Sequence, residues 1–118
     1  MAVRAFTVLD NNLRALAAQW AGLLQTTADT GAPAEVPDFA DRSVQVEGTL
    51  GTGGVVRIEG SNDGTNYAPL TDPQGNTLDF NAVNRIEQVQ EITRYLRPRV
   101  TAGDGGTNFT VTLYGRRL

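Results

Sequence analysis

From residue 43 onward, apolar and polar residues alternate in short runs separated by clusters of Gly, Asn, Asp and Pro. Residues 43–50 put Val44, Val46 and Leu50 on one face and Gln45, Glu47 and Thr49 on the other. Residues 55–60 put Val56 and Ile58 on one side, Arg57 and Glu59 on the opposite side. A period of two is the signature of a half-buried β-strand. Further strands are predicted at 67–70, at 77–80 with Leu78 and Phe80 aligned, at 94–101 with Leu96 and Val100 inward, and at 109–114 with Phe109, Val111 and Leu113 on one face. The intervening stretches 51–54, 62–64, 72–76 and 103–106 carry the residues that turns require. Pro98 inside the 94–101 run argues for an edge strand or a bulge. Val83, Ile86 and Val89 are spaced by three, which fits either a short helical turn or an irregular strand.

The first 42 residues follow a different rhythm. Val3 to Leu9 could form a short strand. Leu13, Leu16, Ala17, Trp20 and Leu23 or Leu24 fall at helical spacing, with Asn11 or Asn12 placed to cap. This predicts a short amphipathic helix, too short to persist without a surface to pack on. Residues 26–41 hold Gly31, Pro33 and Pro37 and read as an extended arm or linker, with Val36 and Phe39 as anchors. The expected organisation is an N-terminal arm over 1–42, with its helix and Pro-rich linker, and a β-sandwich domain over 43–118. The fold class is all-β, a small antiparallel sandwich or barrel with six or seven strands.

Composition narrows the chemistry. The 118 residues suit one modest core, and 13 glycines suit many turns. Cysteine and histidine are absent, and all ten basic residues are arginine. That removes thiolate chemistry, the commonest general base and Schiff-base formation. A net charge of −3 gives no overall attraction to nucleic acid or anionic lipid, and no apolar run has the ~20 residues of a membrane-spanning helix. An enzyme is the least expected class, and no cofactor or metal is expected.

The candidate motifs are weighed against plainer roles. Asp38 with Asp41, and Glu87 with Glu91, are carboxylate pairs near in sequence, but they read as solvated or salt-bridged groups. The oxygen-rich loops 61–66 and 103–108 could hold a hard cation, yet their residues are also those of ordinary turns. The Gly-rich stretch 48–54 joins two strands and lacks the lysine of a phosphate loop. Arg94, Arg97 and Arg99 crowd one strand, with Tyr95 among them and Tyr114 plausible on a neighbour. Such a surface is either a solvated face or a protein interface, ahead of nucleic acid. Trp20 either pins the N-terminal helix to the core or anchors a partner.

Four stretches, residues 43–50, 57–67, 95–105 and 110–117, together resemble small β-proteins of tailed bacteriophages that are similar to capsid decoration (cement) proteins. The resemblance covers roughly residues 43–117. It implies a β-sandwich or barrel seated on the major capsid protein, often as a symmetric oligomer, and it brings no catalytic residues. From it follow the functional expectations: a virion structural protein on the capsid exterior, made in the host cytoplasm, forming a dimer or trimer, and binding neither nucleic acid nor membrane. Trp20, Phe39, Arg94, Arg97 and Arg99 are the expected contact residues, with the arm ordering on docking. The alternatives are a glycan- or receptor-binding module built on Tyr67 with Asn62, Asp63 and Asn66, and a head–tail joining or tail protein.

Overall fold

A computed structural model describes residues 2–117. Twelve strands form in chain order: β1 (Val3–Arg4), β2 (Phe6–Asn11), β3 (Ala15–Leu24), β4 (Thr30–Gly31), β5 (Ala34–Glu35), β6 (Asp41–Thr49), β7 (Val55–Ser61), β8 (Ala68–Pro69), β9 (Asp79–Phe80), β10 (Arg85–Val89), β11 (Tyr95–Ala102) and β12 (Asn108–Arg116). One sheet runs β1-β4-β11-β7-β8, with β5 also on β11 and β9 also on β7; the other runs β10-β6-β12-β3-β2. The pairings are antiparallel except β1 with β4. Their inner faces enclose one core, in which Val44, Val46, Val111 and Leu113 meet Val56, Ile58, Leu96 and Val100. The expected all-β class is what forms, with the architecture of a two-sheet sandwich.

The expected N-terminal helix does not form; among the described residues there is no helix. Residues 15–24 are instead an inner strand of the five-stranded sheet. Ala18 and Trp20 point inward at a period of two, and the register then slips: Trp20 pairs with Val111 and Leu23 with Phe109. Three steps on β3 match two on β12, so one extra residue is accommodated at Ala21–Gly22, and Gly22 adopts a φ of 68° that suits glycine. That bulge turned two alternating runs into a spacing of three, which imitates a helical period. Leu13, which the helical spacing would place on the same apolar stripe, lies in the turn before β3 and is 92% exposed.

Nor do residues 26–41 form a detached linker. They supply β4 and β5 to the seven-stranded sheet, and Val36 and Phe39 are buried. Pro33 sits in the break between these two-residue strands. The break explains Pro98, which occupies an inner strand rather than an edge and is remote from the β11 bulge near Thr101. Pro98 faces Ile58, whose N–H donates to Leu78 O and whose carbonyl accepts from Leu70 N, both away from β11. Pro98 therefore lies at a non-hydrogen-bonded position of the β7 ladder, and its other side meets the gap between β4 and β5, where no N–H is needed.

Two buried polar groups lock the N-terminal segment in place. The Arg42 guanidinium donates to the carbonyls of Phe39 (2.8 Å), Val36 (2.7 Å) and Thr93 (2.5 Å) and to Thr93 Oγ1 (3.2 Å). Asp29 accepts from Arg4 Nε (2.6 Å), the Leu24 amide (2.9 Å) and Thr27 Oγ1 (2.5 Å). Burial pushes the Asp29 carboxyl up, but the hydrogen bonds from Thr27, Leu24 and Arg4 outweigh it and hold it below its ordinary value.

Two outcomes are expected. A Cβ on Gly31 would lie 2.5 Å from Pro98 Cδ and 2.7 Å from Trp20 Cδ1, so Gly31→Ala should destabilise the fold by about 1–3 kcal/mol in denaturant titrations. Asp29 is depressed in the folded state, so its contribution is present above the ordinary carboxylate value of about 4 and is lost as pH falls through the folded value. Thermal melts of Asp29→Asn should start lower at neutral pH and decline less steeply than wild type as the pH is taken down through the acid range.

Candidate interaction face

The outer face of the seven-stranded sheet carries a row of charges fixed by register. Strand β11 alternates, so Leu96, Pro98 and Val100 are buried while Tyr95, Arg97 and Arg99 face out. On β7 the outward positions are Arg57, Glu59 and Ser61. The ladder sets Arg97 opposite Glu59 and Arg99 opposite Arg57. The second pair is a like-charge clash that each arginine avoids. Arg99 reaches diagonally to Glu59 Oε2 (3.2 Å), while Arg97 holds Oε1 of the same carboxylate (3.1 Å). Arg57 turns the other way and grips both Asp79 oxygens on β9 (2.7 and 3.2 Å), which raises its pKa. Glu59 thus lies buried beneath two arginines, its side chain 4% exposed against 22% for Arg97 and 47% for Arg99.

Aromatic rings complete the row. The Arg97 guanidinium stacks 3.6 Å from the Tyr67 ring centre, and Arg94, just before β11, lies 5.0 Å from that of Tyr95. Arg94 also donates to Glu35 of β5 at 2.9 Å. Burial pushes the Tyr67 phenol up. Arg97 and Arg99 therefore share one surface with Tyr95, as an alternating strand requires, and with Tyr67 beneath Arg97; Arg94, of the opposite parity and just before β11, reaches the same surface through Tyr95 and Glu35. Tyr114 is on the other sheet, half exposed on β12.

Trp20 and Phe39 do not belong to this surface. Trp20 has no exposed area; its Nε1 donates to Ala32 O (2.9 Å) and its ring meets Phe6 edge-on at 5.6 Å. Phe39 is 4% exposed, beneath the Arg117 guanidinium. Each is a core anchor because the segment once read as an arm is woven into both sheets. Glu59 is the residue of this face that the sequence reading leaves out of its contact set. Its signal was present in the alternation that put it outward beside Arg57, but the cross-strand register was needed to set it under Arg97.

The other candidate groups are occupied locally. Asp63 accepts from Ser61 Oγ and from the Thr65 and Asn66 amides, bonds that hold its carboxyl far below the usual range. Asn62 Oδ1 accepts from the Arg94 amide. Of the four residues considered for glycan binding, Asp63 and Asn66 thus build their own turn, Asn62 holds the start of β11, and the Tyr67 ring is covered by Arg97. Asp104 accepts from the Gly106 amide in the second oxygen-rich loop. Among the described residues no group of three or more acidic side chains is placed to hold a metal. Asp41 pairs with Arg116, Glu87 with Arg85, and Glu91 accepts from Thr71, so neither carboxylate pair faces inward across a cleft.

No protein-family model matches the chain, and no curated protein does. The sandwich is similar to that of a prophage-derived protein, YomS of SPBc2, with a TM-score of 0.65 at 13% identity over 93% of this chain and 99% of that one. It is also similar to a cupin domain from Bordetella pertussis Tohama I, with a TM-score of 0.57 at 13% identity over 99% of this chain and 96% of that one. These likenesses carry the fold, so the chemistry of the face rests on its own residues. Glu59→Gln should cost about 1–2 kcal/mol because it strands two arginines, whereas Arg99→Ala should cost less than about 1 kcal/mol because Arg97 stays. A double-mutant cycle in denaturant measures both.

Proposed function

We propose that this chain is a virion structural protein of a tailed bacteriophage, a capsid decoration protein that binds the major capsid protein lattice and stabilises it. The observation that carries this reading is the outer face of the seven-stranded sheet, where Arg94, Arg97 and Arg99 are held in a row, two of them stacked on tyrosines. Arginine and tyrosine are the residue types enriched at binding hot spots, because each combines a flat apolar body with directed hydrogen bonding. Salt bridges and stacking fix the rotamers beforehand, which lowers the entropy lost on docking. The fold likeness to a prophage-derived protein and the order of strand and turn motifs support the same assignment.

The mechanism is mechanical rather than chemical. Each copy contributes modest binding, and the repeat of the lattice, reinforced by contacts between copies, turns it into durable attachment. The contact set is narrower than the sequence suggested: Arg94, Arg97 and Arg99 with Tyr67 and Tyr95, without Trp20 and Phe39. The protein acts on the exterior of the virion without a cofactor, nucleic acid or membrane. One feature favours this over glycan binding at Tyr67: Asp63 is spent on its own turn and Asn62 on the Arg94 amide.

Co-sedimentation with expanded capsids of the encoding phage tests the reading. The wild-type chain should saturate the shell, and the triple variant Arg97→Gln, Arg99→Gln and Glu59→Gln, which removes both arginine charges together with the carboxylate between them, should weaken binding by more than about a hundredfold while circular dichroism shows the protein still folded. Retention of full affinity by that variant would refute the assignment of the face.

A further inference from the structure

The outer face of the five-stranded sheet differs in kind from the Arg–Tyr face. The ladder sets Gln88 of β10, Ser43 of β6 and Tyr114 of β12 side by side in one row across three strands. Neighbouring strands lie about 4.8 Å apart, so Gln88 and Tyr114 stand roughly 10 Å from each other with only the short Ser43 between them. That order of long, short and long side chains leaves a depression of about 410 Å³, closed at one end by Asp41 and Arg116. The half-exposed Tyr114 ring forms one wall.

The polar groups around the depression are free of the protein's own hydrogen bonds. Arg116 Nε (3.2 Å) and Nη2 (2.5 Å) both donate to Asp41 Oδ2. Asp41 Oδ1, Ser43 Oγ, the Gln88 side-chain amide and the Tyr114 hydroxyl have no hydrogen-bond partner among the described residues. Tyr67 is the opposite case, since Arg97 covers its ring. Charge on this face is also balanced. Asp41 and Arg116 neutralise each other, and the next row, Gln45 with Thr112 and Gln19, is uncharged. The other charge on the outward positions of β6 and β12 is Glu47, which accepts from Gln45 at 3.1 Å.

An open aromatic face beside unpaired hydroxyl, amide and carboxylate oxygens matches one kind of ligand. A pyranose ring carries C–H groups on its faces and hydroxyls around its rim. It can therefore lie against a tyrosine while its hydroxyls, each donor and acceptor, meet a carboxylate and a guanidinium set side by side. An apolar ligand would strand those polar groups. An anionic one finds no unpaired cation, because Arg116 is already engaged by Asp41.

We propose that this depression binds a neutral hexopyranose unit of a glycan, stacked on Tyr114, with two adjacent hydroxyls on Asp41 Oδ1 and Arg116, and with Ser43 and Gln88 beneath and beside the ring. The site lies on the opposite sheet from Arg97 and Arg99 and does not rest on the capsid reading.

The test is an amide-resolved NMR titration of the full chain with the methyl pyranosides of glucose, galactose and mannose, with glycerol and the methyl glycoside of glucuronic acid as comparisons. At least one of the three neutral sugars should shift the Ser43, Gln88 and Tyr114 signals with a Kd on the order of 1 mM, as suits a single ring. Tyr114→Ala should raise that Kd by more than about tenfold, whereas Tyr114→Phe, which keeps the ring, should raise it by less than about threefold. Asp41→Asn should weaken binding by about tenfold while the rest of the spectrum stays in place. No shift at these residues with any of the three sugars at about ten times that concentration would overturn the proposal. So would equal shifts from glycerol, which mark adventitious polyol binding only, tighter binding of the glucuronic acid glycoside than of the glucoside, or binding indifferent to Tyr114→Ala.

Discussion

The structure depends on one contact: the Trp20 indole, carried by the five-stranded sheet, lies against Gly31 and is tied to the Ala32 carbonyl in the segment that builds the other sheet. Burying a ring of this size is worth several kcal/mol, and truncating such a side chain typically costs about 3–5 kcal/mol. The hydrogen bond adds direction, since a buried indole N–H without an acceptor would be penalised. The approach is close enough that only glycine fits between the indole and the Pro98 ring. Through this contact the first 40 residues become part of the sandwich. Arg42 and Asp29 then fasten the same segment by satisfying carbonyls and amides that short, broken strands leave unpaired.

Much of the fold was legible in the residues from 43 onward. Val44 and Val46, Val56 and Ile58, Leu96 and Val100, and Phe109, Val111 and Leu113 all point inward as their alternation required. Their turns carried the expected Gly, Asn and Asp. The N-terminal third misled for two physical reasons. A bulge at Ala21–Gly22 broke the period of two and produced a helix-like spacing. Strands of two residues, such as β4 and β5, are too short to show any period, so Pro33 and Gly31 looked like linker signals. In fact proline marks the break between the strands and glycine permits the approach of Trp20.

The candidate face divides in the same way. Alternation correctly grouped Arg97, Arg99 and Tyr95, since side chains two apart on a strand must share a side. It could not reveal that Glu59 bridges two of them or that Tyr67 lies under Arg97, because those contacts depend on the register between strands distant in sequence. Trp20 and Phe39 are contact candidates only if the N-terminal arm is free. Once that segment joins the sandwich, large aromatics there serve the core, as their size favours.

The two sheets present different outer surfaces: a charged, stacked face on one, and an edge strand with half-exposed Val8 and Leu9 on the other. The proposed role assigns the charged face to the capsid lattice. The most direct measurement is the number of copies of this chain per particle in purified virions of the phage that encodes it, by quantitative mass spectrometry against the major capsid protein. A shell-bound protein should be present in hundreds of copies, in fixed ratio to the capsid subunit (order of magnitude for shell rather than ring symmetry). A ratio corresponding to about a dozen copies, or absence from the particle, would contradict that role.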